Sequence, residues 1–328
     1  MIKKEKTHKK LKGIKPFNKF LFRSCYYHQL IAAYARYGIS EDVWLMNYLP
    51  IYKFDSVQSK ILIEELEVLS EKDIENITGL KLVKKKESGN IIEEIIRSID
   101  KGMLVIAAVD CFYLDYREDT YKKQHISHFL LFYGYDRAKK KFIINEHRYV
   151  NSQMYIEWEV DFKVIDKCFK NYLKRLVKPD GYGIIKIKRV HKPCVFEVKE
   201  YRKVLADNKS QISKSFAQVK LFCDFLLTII KDETILRKHI SALIESIGIV
   251  RWKKTINKHQ LMFIYKNEEI TTAADKIVEC LIFIYGILAK TSYTNKYNES
   301  MIEKLSRKIN DYLMLEEKIH NFLLAESL

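Results

Sequence analysis

An α+β fold with a helical C-terminal region is predicted by three observations along the 328 residues of the chain. Helical periodicity dominates roughly the first hundred residues. Short apolar or alternating segments of strand length follow, and from about residue 196 long helical periodicity replaces them. Helices followed by antiparallel strands are typical of α+β domains, whereas α/β domains alternate helix and strand.

The first group of predicted elements is helical. Ser24 is suited to cap a helix that ends at Gly38, and Asn90 is suited to cap an amphipathic helix that ends near Gly102. Another helix is expected to begin at Ser40, and a mixed stretch with a helical period follows it. The predicted helices of this region cover residues 24–37, 40–49, 61–69 and 91–100.

The second group of predicted elements is extended. A turn at residues 136–140 joins two apolar segments and predicts a β-hairpin. The predicted strands cover residues 103–110, 128–136, 141–146, 154–160 and 183–190, and the predicted C-terminal helices cover residues 197–231, 233–256, 269–291 and 298–326. We therefore expect a basic N-terminal segment (1–20), an α+β domain (21–195) and a helical domain (196–328).

Composition limits the classes of partner and location. The formal net charge is +16, and residues 1–20 hold eight Lys against the single acid Glu5. Such a segment is either a solvated, partly disordered tail or a surface that attracts an acidic partner. No recognisable nucleic-acid-binding motif, apolar run of about 18 residues or signal peptide is present. The six cysteines lack paired spacing, so we expect a cytoplasmic protein with free thiols, no membrane contact and no nucleic-acid partner.

Cys25 is the first candidate for chemistry, because it stands at the predicted start of a helix. Unpaired backbone N–H groups and the positive end of the helix dipole stabilise a thiolate at that position. A buried cysteine that acts only as a small apolar side chain is the commoner arrangement. Placement alone therefore does not identify a nucleophile.

His128 strengthens the case, because it opens the first strand of the predicted hairpin. The turn lies about midway between His128 and the pair Asn145-Glu146, so strand pairing brings one of these side chains close to the imidazole. Such a partner would fix the tautomer that presents the free nitrogen to the sulfur of Cys25. A cysteine at a helix start, then a histidine and then an asparagine on successive strands rarely occur in this order by chance.

This order resembles that of the papain-like cysteine enzymes. More narrowly, VDCFYLDYREDTYKKQHISHFLLFYGYD (109–136) resembles the family of the butirosin-pathway acyltransferase, over roughly residues 20–190. Among its members, the chain is similar to the amide synthases of closthioamide-type, nonribosomal thioamide assembly. The resemblance implies a papain-like (cysteine-protease-like) domain with an N-terminal catalytic helix and an antiparallel sheet.

The resemblance also implies an activity and a set of catalytic residues. Cys25 matches the nucleophile, His128 the catalytic histidine and Asn145 the third member of the triad. The implied reaction moves an acyl or peptidyl chain from a carrier-protein thioester to an amine in natural-product biosynthesis. The implied partners are an acidic carrier protein and a small amine, and phosphopantetheine enters only as part of the carrier-bound substrate. No cofactor of the enzyme itself is expected.

The remaining site residues are secondary candidates. Lys19 stands where papain-like enzymes place the glutamine of the oxyanion hole, so Asn18 and the Cys25 N–H are the expected donors. Asp110 could hold an ammonium group, whereas His28 and Tyr113 could contact substrate or serve only in packing.

Zinc ligation and two other functions are the alternatives. The ligands Cys25, His28, His125 and His128 would suit zinc, but His125 and His128 would project to opposite faces of a strand, so we expect no metal. The same triad could serve a cysteine peptidase or an amidohydrolase. A non-catalytic basic binding module is the second alternative.

Overall fold

The computed structural model describes residues 6–147, 149, 154–194, 198–294 and 296–326. The chain forms two compact units. We call residues 1–41 and 71–195 the sheet unit, and residues 42–70 and 196–328 the helical unit. One transition between the units falls after residue 195, and residues 42–70, which we expected in the first domain, cluster with the C-terminal helices.

The elements are given in chain order. The strands within the described residues are β1 (His8–Lys10), β2 (Leu49–Asp55), β3 (Lys60–Leu66), β4 (Leu80–Lys85), β5 (Leu104–Asp110), β6 (Ser127–Asp136), β7 (Lys141–His147), β8 (Tyr155–Asp161) and β9 (Ile184–Arg189). The helices are α1 (Cys25–Ala35), α2 (Asp42–Met46), α3 (Glu71–Thr78), α4 (Ile91–Asp100), α5 (Phe162–Arg175), α6 (Val198–Asp207), α7 (Lys209–Ile229), α8 (Glu233–Tyr265), α9 (Glu268–Thr294) and α10 (Glu299–Glu326). A 3-10 turn occupies Cys111–Tyr113.

The sheet unit is built on an antiparallel sheet that, within the described residues, has the order β4–β9–β5–β6–β7–β8, with β1 also paired to β6. Strand β5 is buried along its whole length, because β6 and β9 flank it and helices α1 and α5 contact it. The α+β fold predicted from the sequence is therefore confirmed, with a helix that begins at Cys25 and an antiparallel sheet. Strand β4 and helix α5 are additions that the sequence patterns did not predict.

The basic N-terminal segment contributes to the sheet. Residues 8–10 pair with the far end of β6, and the Leu11 N–H donates to the Tyr133 carbonyl at 2.8 Å. Lys10 forms an ion pair with Glu157 on β8 at 2.7 Å. The expectation of a solvated tail is therefore wrong for residues 8–11, whereas residues 1–5 lie outside the described part of the chain.

The helical unit contains α2, the hairpin β2–β3 and helices α6 to α10. The helix predicted over residues 61–69 is wrong, since β3 occupies Lys60–Leu66. Tertiary contacts override the helical period there: the N–H groups of Tyr52 and Ile61 donate to the hydroxyls of Ser215 and Ser246, at 2.8 and 3.2 Å. Helices α6 to α10 follow the predicted C-terminal segments, although α8 runs nine residues beyond its predicted end at 256 to reach Tyr265.

The helices show no membrane-spanning character. Within the described residues, none of them is both long enough and apolar enough to cross a bilayer.

Candidate active site

Cys25 is the first residue of α1, as the sequence predicts. Ser24 precedes it in the N-cap position with extended backbone. Arg23 has a φ of 49°, a conformation that is costly for a residue with a side chain and that is often found at functional sites. The first N–H groups of a helix have no acceptor within the helix. The thiol is therefore presented beside backbone donors.

His28 fixes the segment that leads to Cys25. Its Nε2 accepts a hydrogen bond from the Phe22 N–H at 2.9 Å, and its Nδ1 contacts the Phe17 carbonyl at 3.2 Å. Its ring stacks on Tyr155 with centroids 4.8 Å apart. Burial lowers the pKa of His28 to about 4, so the ring is neutral at pH 7. His28 therefore has the packing role that was one of its two predicted roles.

His128 contacts Glu146 instead of Asn145. The distance from His128 Nε2 to Glu146 Oε1 is 2.9 Å. Neighbouring residues of a strand project to opposite faces, and the Asn145 side chain is directed to α1, where its Nδ2 donates to Gln29 Oε1 at 2.9 Å. His128 thus contacts Glu146, the other candidate of the pair, and not Asn145.

Glu146 is buried among hydrogen-bond donors. The Tyr116 hydroxyl donates to its Oε2 at 2.8 Å, and the His147 N–H donates to its Oε1 at 2.7 Å. The buried Arg117 guanidinium lies 3.8 Å from the same Oε1. Burial alone would raise the pKa of Glu146, but the charges of His128, His147 and Arg117 and the His128 hydrogen bond hold it below its ordinary value. Glu146 is therefore an ionised partner that orients His128.

Cys25 and His128 form a coupled acid–base pair. Burial alone would raise the pKa of the Cys25 thiol, but the charge and hydrogen bond of His128 and the Phe129 N–H lower it overall. Burial alone would lower the pKa of His128, but Glu146 and Cys25 raise it well above its ordinary value. Because Glu146 contacts Nε2, the other ring nitrogen, Nδ1, is left for the sulfur. These two opposite pKa shifts favour a thiolate–imidazolium pair, the reactive state of a cysteine nucleophile.

Cys111 lies near the same groups but differs in reactivity. It is buried, and this burial raises the pKa of its thiol to about 11 despite the charges of His128 and Arg117. The site therefore contains a second thiol whose raised pKa disfavours its thiolate, in contrast to Cys25.

Residues 35–147 match the model of a family described as Butirosin biosynthesis protein H, N-terminal. This part of the chain is therefore similar to that family. The matched region contains His128 and Glu146 and begins ten residues after Cys25. The family inferred from the sequence is thereby confirmed. No curated protein matches the chain.

The two side chains expected near the oxyanion are engaged elsewhere. The Asn18 amide forms two hydrogen bonds with the Tyr155 backbone, at 2.9 and 2.8 Å. Lys19 is largely exposed and forms an ion pair with Glu41. Asn18 therefore tethers the segment before α1 to β8. These contacts contradict the expectation that either side chain faces the site.

Asp110 and Tyr113 flank the site on the side of the 3-10 turn. Asp110 is buried, accepts a hydrogen bond from the Phe112 N–H at 3.1 Å and contacts His125 Nδ1 at 2.7 Å. It therefore holds His125 and is not free to bind an ammonium group, contrary to one expectation. Tyr113 lines an open cavity together with Phe112. His125 and His28 thus have partners of their own and do not join a zinc site with Cys25.

A different group could hold a metal ion. Among the described residues, ligand atoms of His128, Glu146 and His147 lie within 4.8 Å of one another. Two features oppose a cation there: the raised pKa of His128 favours its protonated ring, and the Arg117 guanidinium lies against Glu146. The donor set therefore suits an ion pair with His128 better than a divalent metal.

Three residues of the site were not predicted from the sequence: Arg117, His147 and Tyr155. Arg117 belongs to an irregular segment, where periodicity carries no signal. His147 directly follows Glu146, and burial together with the charge of His128 lowers its pKa to about 4. Its ring lies 4.7 Å from that of Tyr155, centroid to centroid. The sequence pattern that could have indicated His147 is the run of three polar residues, Asn-Glu-His, at the end of an apolar strand.

Proposed function

We propose that this protein is a cysteine-dependent acyltransferase that moves an acyl or peptidyl chain from a carrier-protein thioester to an amine. The observation that carries the proposal is the hydrogen-bonded series from Cys25 through His128 to Glu146, in a domain of the butirosin biosynthesis protein H family. The basic composition favours an acidic donor protein, since the net charge is +16.

The first half-reaction would acylate the enzyme. The Cys25 thiolate attacks the thioester carbonyl carbon, and the resulting tetrahedral oxyanion lies near the N–H groups of the first turn of α1. Collapse of this intermediate breaks the bond to the carrier sulfur. The His128 imidazolium donates its proton to that sulfur, which leaves acyl-Cys25 and a neutral imidazole.

The second half-reaction would form the amide. Neutral His128 takes a proton from the incoming amine as the amine nitrogen attacks the acyl-Cys25 carbonyl. The second tetrahedral intermediate expels Cys25 as a thiolate, so the thiolate–imidazolium pair is restored. Glu146 stabilises the imidazolium in both halves and takes no proton itself. Exchange of one thioester for another is nearly neutral in free energy, so the reaction needs no nucleotide.

Mass spectrometry of the intact protein tests the proposal. Incubation with an acyl-carrier thioester should add the mass of the acyl group to the wild type and to Cys194→Ala, a control at an exposed cysteine. Cys25→Ala should remain unmodified. Small amines should then discharge the adduct as an amide. The absence of any adduct would refute the proposal, and release of the free acid alone would favour a hydrolase.

A further inference from the structure

We infer that the cavity beside the 3-10 turn binds the phosphate of a phosphopantetheine-type thioester donor. The cavity has a volume of about 450 Å³ and lies between the segment after β5 and helix α5. Its lining residues are Phe112, Tyr113, Asp115, Tyr121, Lys122, Lys163, Val164 and Lys167. The inference rests on the proposed function, because it names the donor chemistry of that same site.

The residues that line the cavity carry a net positive charge. Three ammonium groups face one carboxylate, that of Asp115. Among the described residues, Lys122, Lys163 and Lys167 form no ion pair with an acid, unlike many other lysines of the chain. Lysine is a common phosphate ligand, since its ammonium is a compact charge with three donors. An anion would therefore supply the missing counter-charge.

The walls of the cavity are aromatic. The ammonium of Lys167 lies 4.7 Å from the centre of the Tyr113 ring, and that of Lys122 lies 5.1 Å from the centre of the Tyr121 ring. These contacts hold two of the three charges at the cavity wall. The volume lies in the range of about 300–1,000 Å³ typical of sites for organic ligands. A phosphate joined to an organic arm fits such a lining better than a free inorganic ion does.

The cavity wall includes residues of the same 3-10 turn that carries Cys111. The 3-10 turn places Cys111 beside His128, while Phe112 and Tyr113 face the cavity. The Phe112 ring stacks on His125, with centroids 4.2 Å apart and planes 8° apart. His125 is in turn held by the buried Asp110. The three-residue turn therefore links the cavity wall to the surroundings of His128.

The test compares three donors that carry the same acyl group: a carrier-protein thioester, a coenzyme A thioester and a pantetheine thioester without phosphate. The variant is the triple substitution Lys122→Ala, Lys163→Ala and Lys167→Ala. A matched control replaces three exposed lysines of α7, Lys209, Lys214 and Lys220, by alanine. Acylation of Cys25 gives KM and kcat for each donor, and calorimetry gives the Kd of free coenzyme A.

We expect the cavity variant to raise KM about tenfold or more for both phosphate-bearing donors and to leave the pantetheine thioester unchanged. Coenzyme A binding should weaken by a similar factor, and the α7 control should behave as wild type. Equal effects on all three donors, an effect confined to the carrier protein, or unchanged coenzyme A binding would overturn the inference. If pantetheine thioester still acylates Cys25 in those cases, the proposed function stands. If no donor acylates wild-type Cys25, the proposed function fails while coenzyme A binding still tests the cavity.

Discussion

Two buried ion pairs, one in each unit, differ in what surrounds them. In the sheet unit, His128 and Glu146 lie 2.9 Å apart and also contact Cys25, Tyr116 and the His147 N–H. In the helical unit, Lys254 Nζ and Glu316 Oε2 lie 2.6 Å apart. The first pair contains an imidazole that contacts a thiol, whereas the second joins an ammonium group to a carboxylate.

The surroundings of Lys254 favour a structural role. Its ammonium also lies 4.7 Å from the centre of the Tyr52 ring. Burial, followed by the charge of Glu316, raises the pKa of Tyr52 and of Tyr312 well above the ordinary value, so both phenols stay neutral. Neither group offers a nucleophile at neutral pH. The comparison teaches that burial of a charged pair does not by itself mark a catalytic site; the neighbouring nucleophile does.

Glu146→Gln should have the largest effect that separates the two pairs. The amide keeps the shape of the carboxylate but removes its charge, so the His128 imidazolium loses its stabilising partner. We expect acylation of Cys25 at pH 7 to fall about 10²–10⁴-fold. The midpoint of the pH dependence of Cys25 alkylation by iodoacetamide should also shift to higher pH. Without Glu146 the pKa of His128 falls, so the thiolate loses the imidazolium that is its counter-ion.

Asn145→Ala is the matched control on the neighbouring residue. It removes the hydrogen bond to Gln29 and should lower the free energy of unfolding without moving the alkylation midpoint. A shift of the midpoint in Asn145→Ala and none in Glu146→Gln would return the third catalytic role to Asn145.

Lys254→Met should have the opposite pattern of effects: a loss of stability and no loss of acylation. It leaves the Glu316 carboxylate buried without its cation, which typically costs about 3–5 kcal/mol of stability. Urea unfolding should show this loss, while folded protein should keep the wild-type rate of Cys25 acylation. The double variant Lys254→Met with Glu316→Leu should recover most of the stability. A stable Lys254→Met protein with impaired acylation would contradict the structural role.

Acid should weaken the sheet unit through His28 and His147. Their pKa values are about 4 in the folded protein and about 6.5 when the chain is unfolded, so below pH 6.5 the unfolded state binds protons that the folded state does not. Stability is therefore lost as pH falls from about 6.5 to 4, by about 3 kcal/mol for each histidine.

Hydrogen exchange at pH 7 and pH 5 locates this loss. Protection of β6 and β7 should fall more than protection of α8 and α9. Equal losses in both units would argue against histidine protonation as the cause, and His147→Gln should reduce the pH dependence.

Prediction from the sequence succeeded where the position of a residue depends on a single helix or hairpin. The start of α1 at Cys25 and the hairpin that carries His128 follow from local caps and periods. The choice between Asn145 and Glu146 depends on strand register, and an irregularity between Phe132 and Gly134 shifts that register. Hairpin length alone cannot reveal such a shift.

The remaining differences have tertiary causes. Strand β3 forms where its alternate side chains Ile61 and Ile63 pack on helices, a contact that a local period cannot report. Asn18 stands near the position of an oxyanion donor, yet the β8 backbone takes its amide. Arg117 reaches Glu146 from an irregular segment across 29 residues of sequence. Sequence reasoning thus found the acid–base pair and missed most of its support.

The pairing of β1 with β6 has a consequence for cleavage of the chain. A protease must draw several residues into an extended conformation in its own cleft, and a segment already bound to a sheet resists this. Lys9 and Lys10 occupy such a segment. Trypsin should therefore spare these two bonds in the folded protein, although residues 1–20 hold eight lysines.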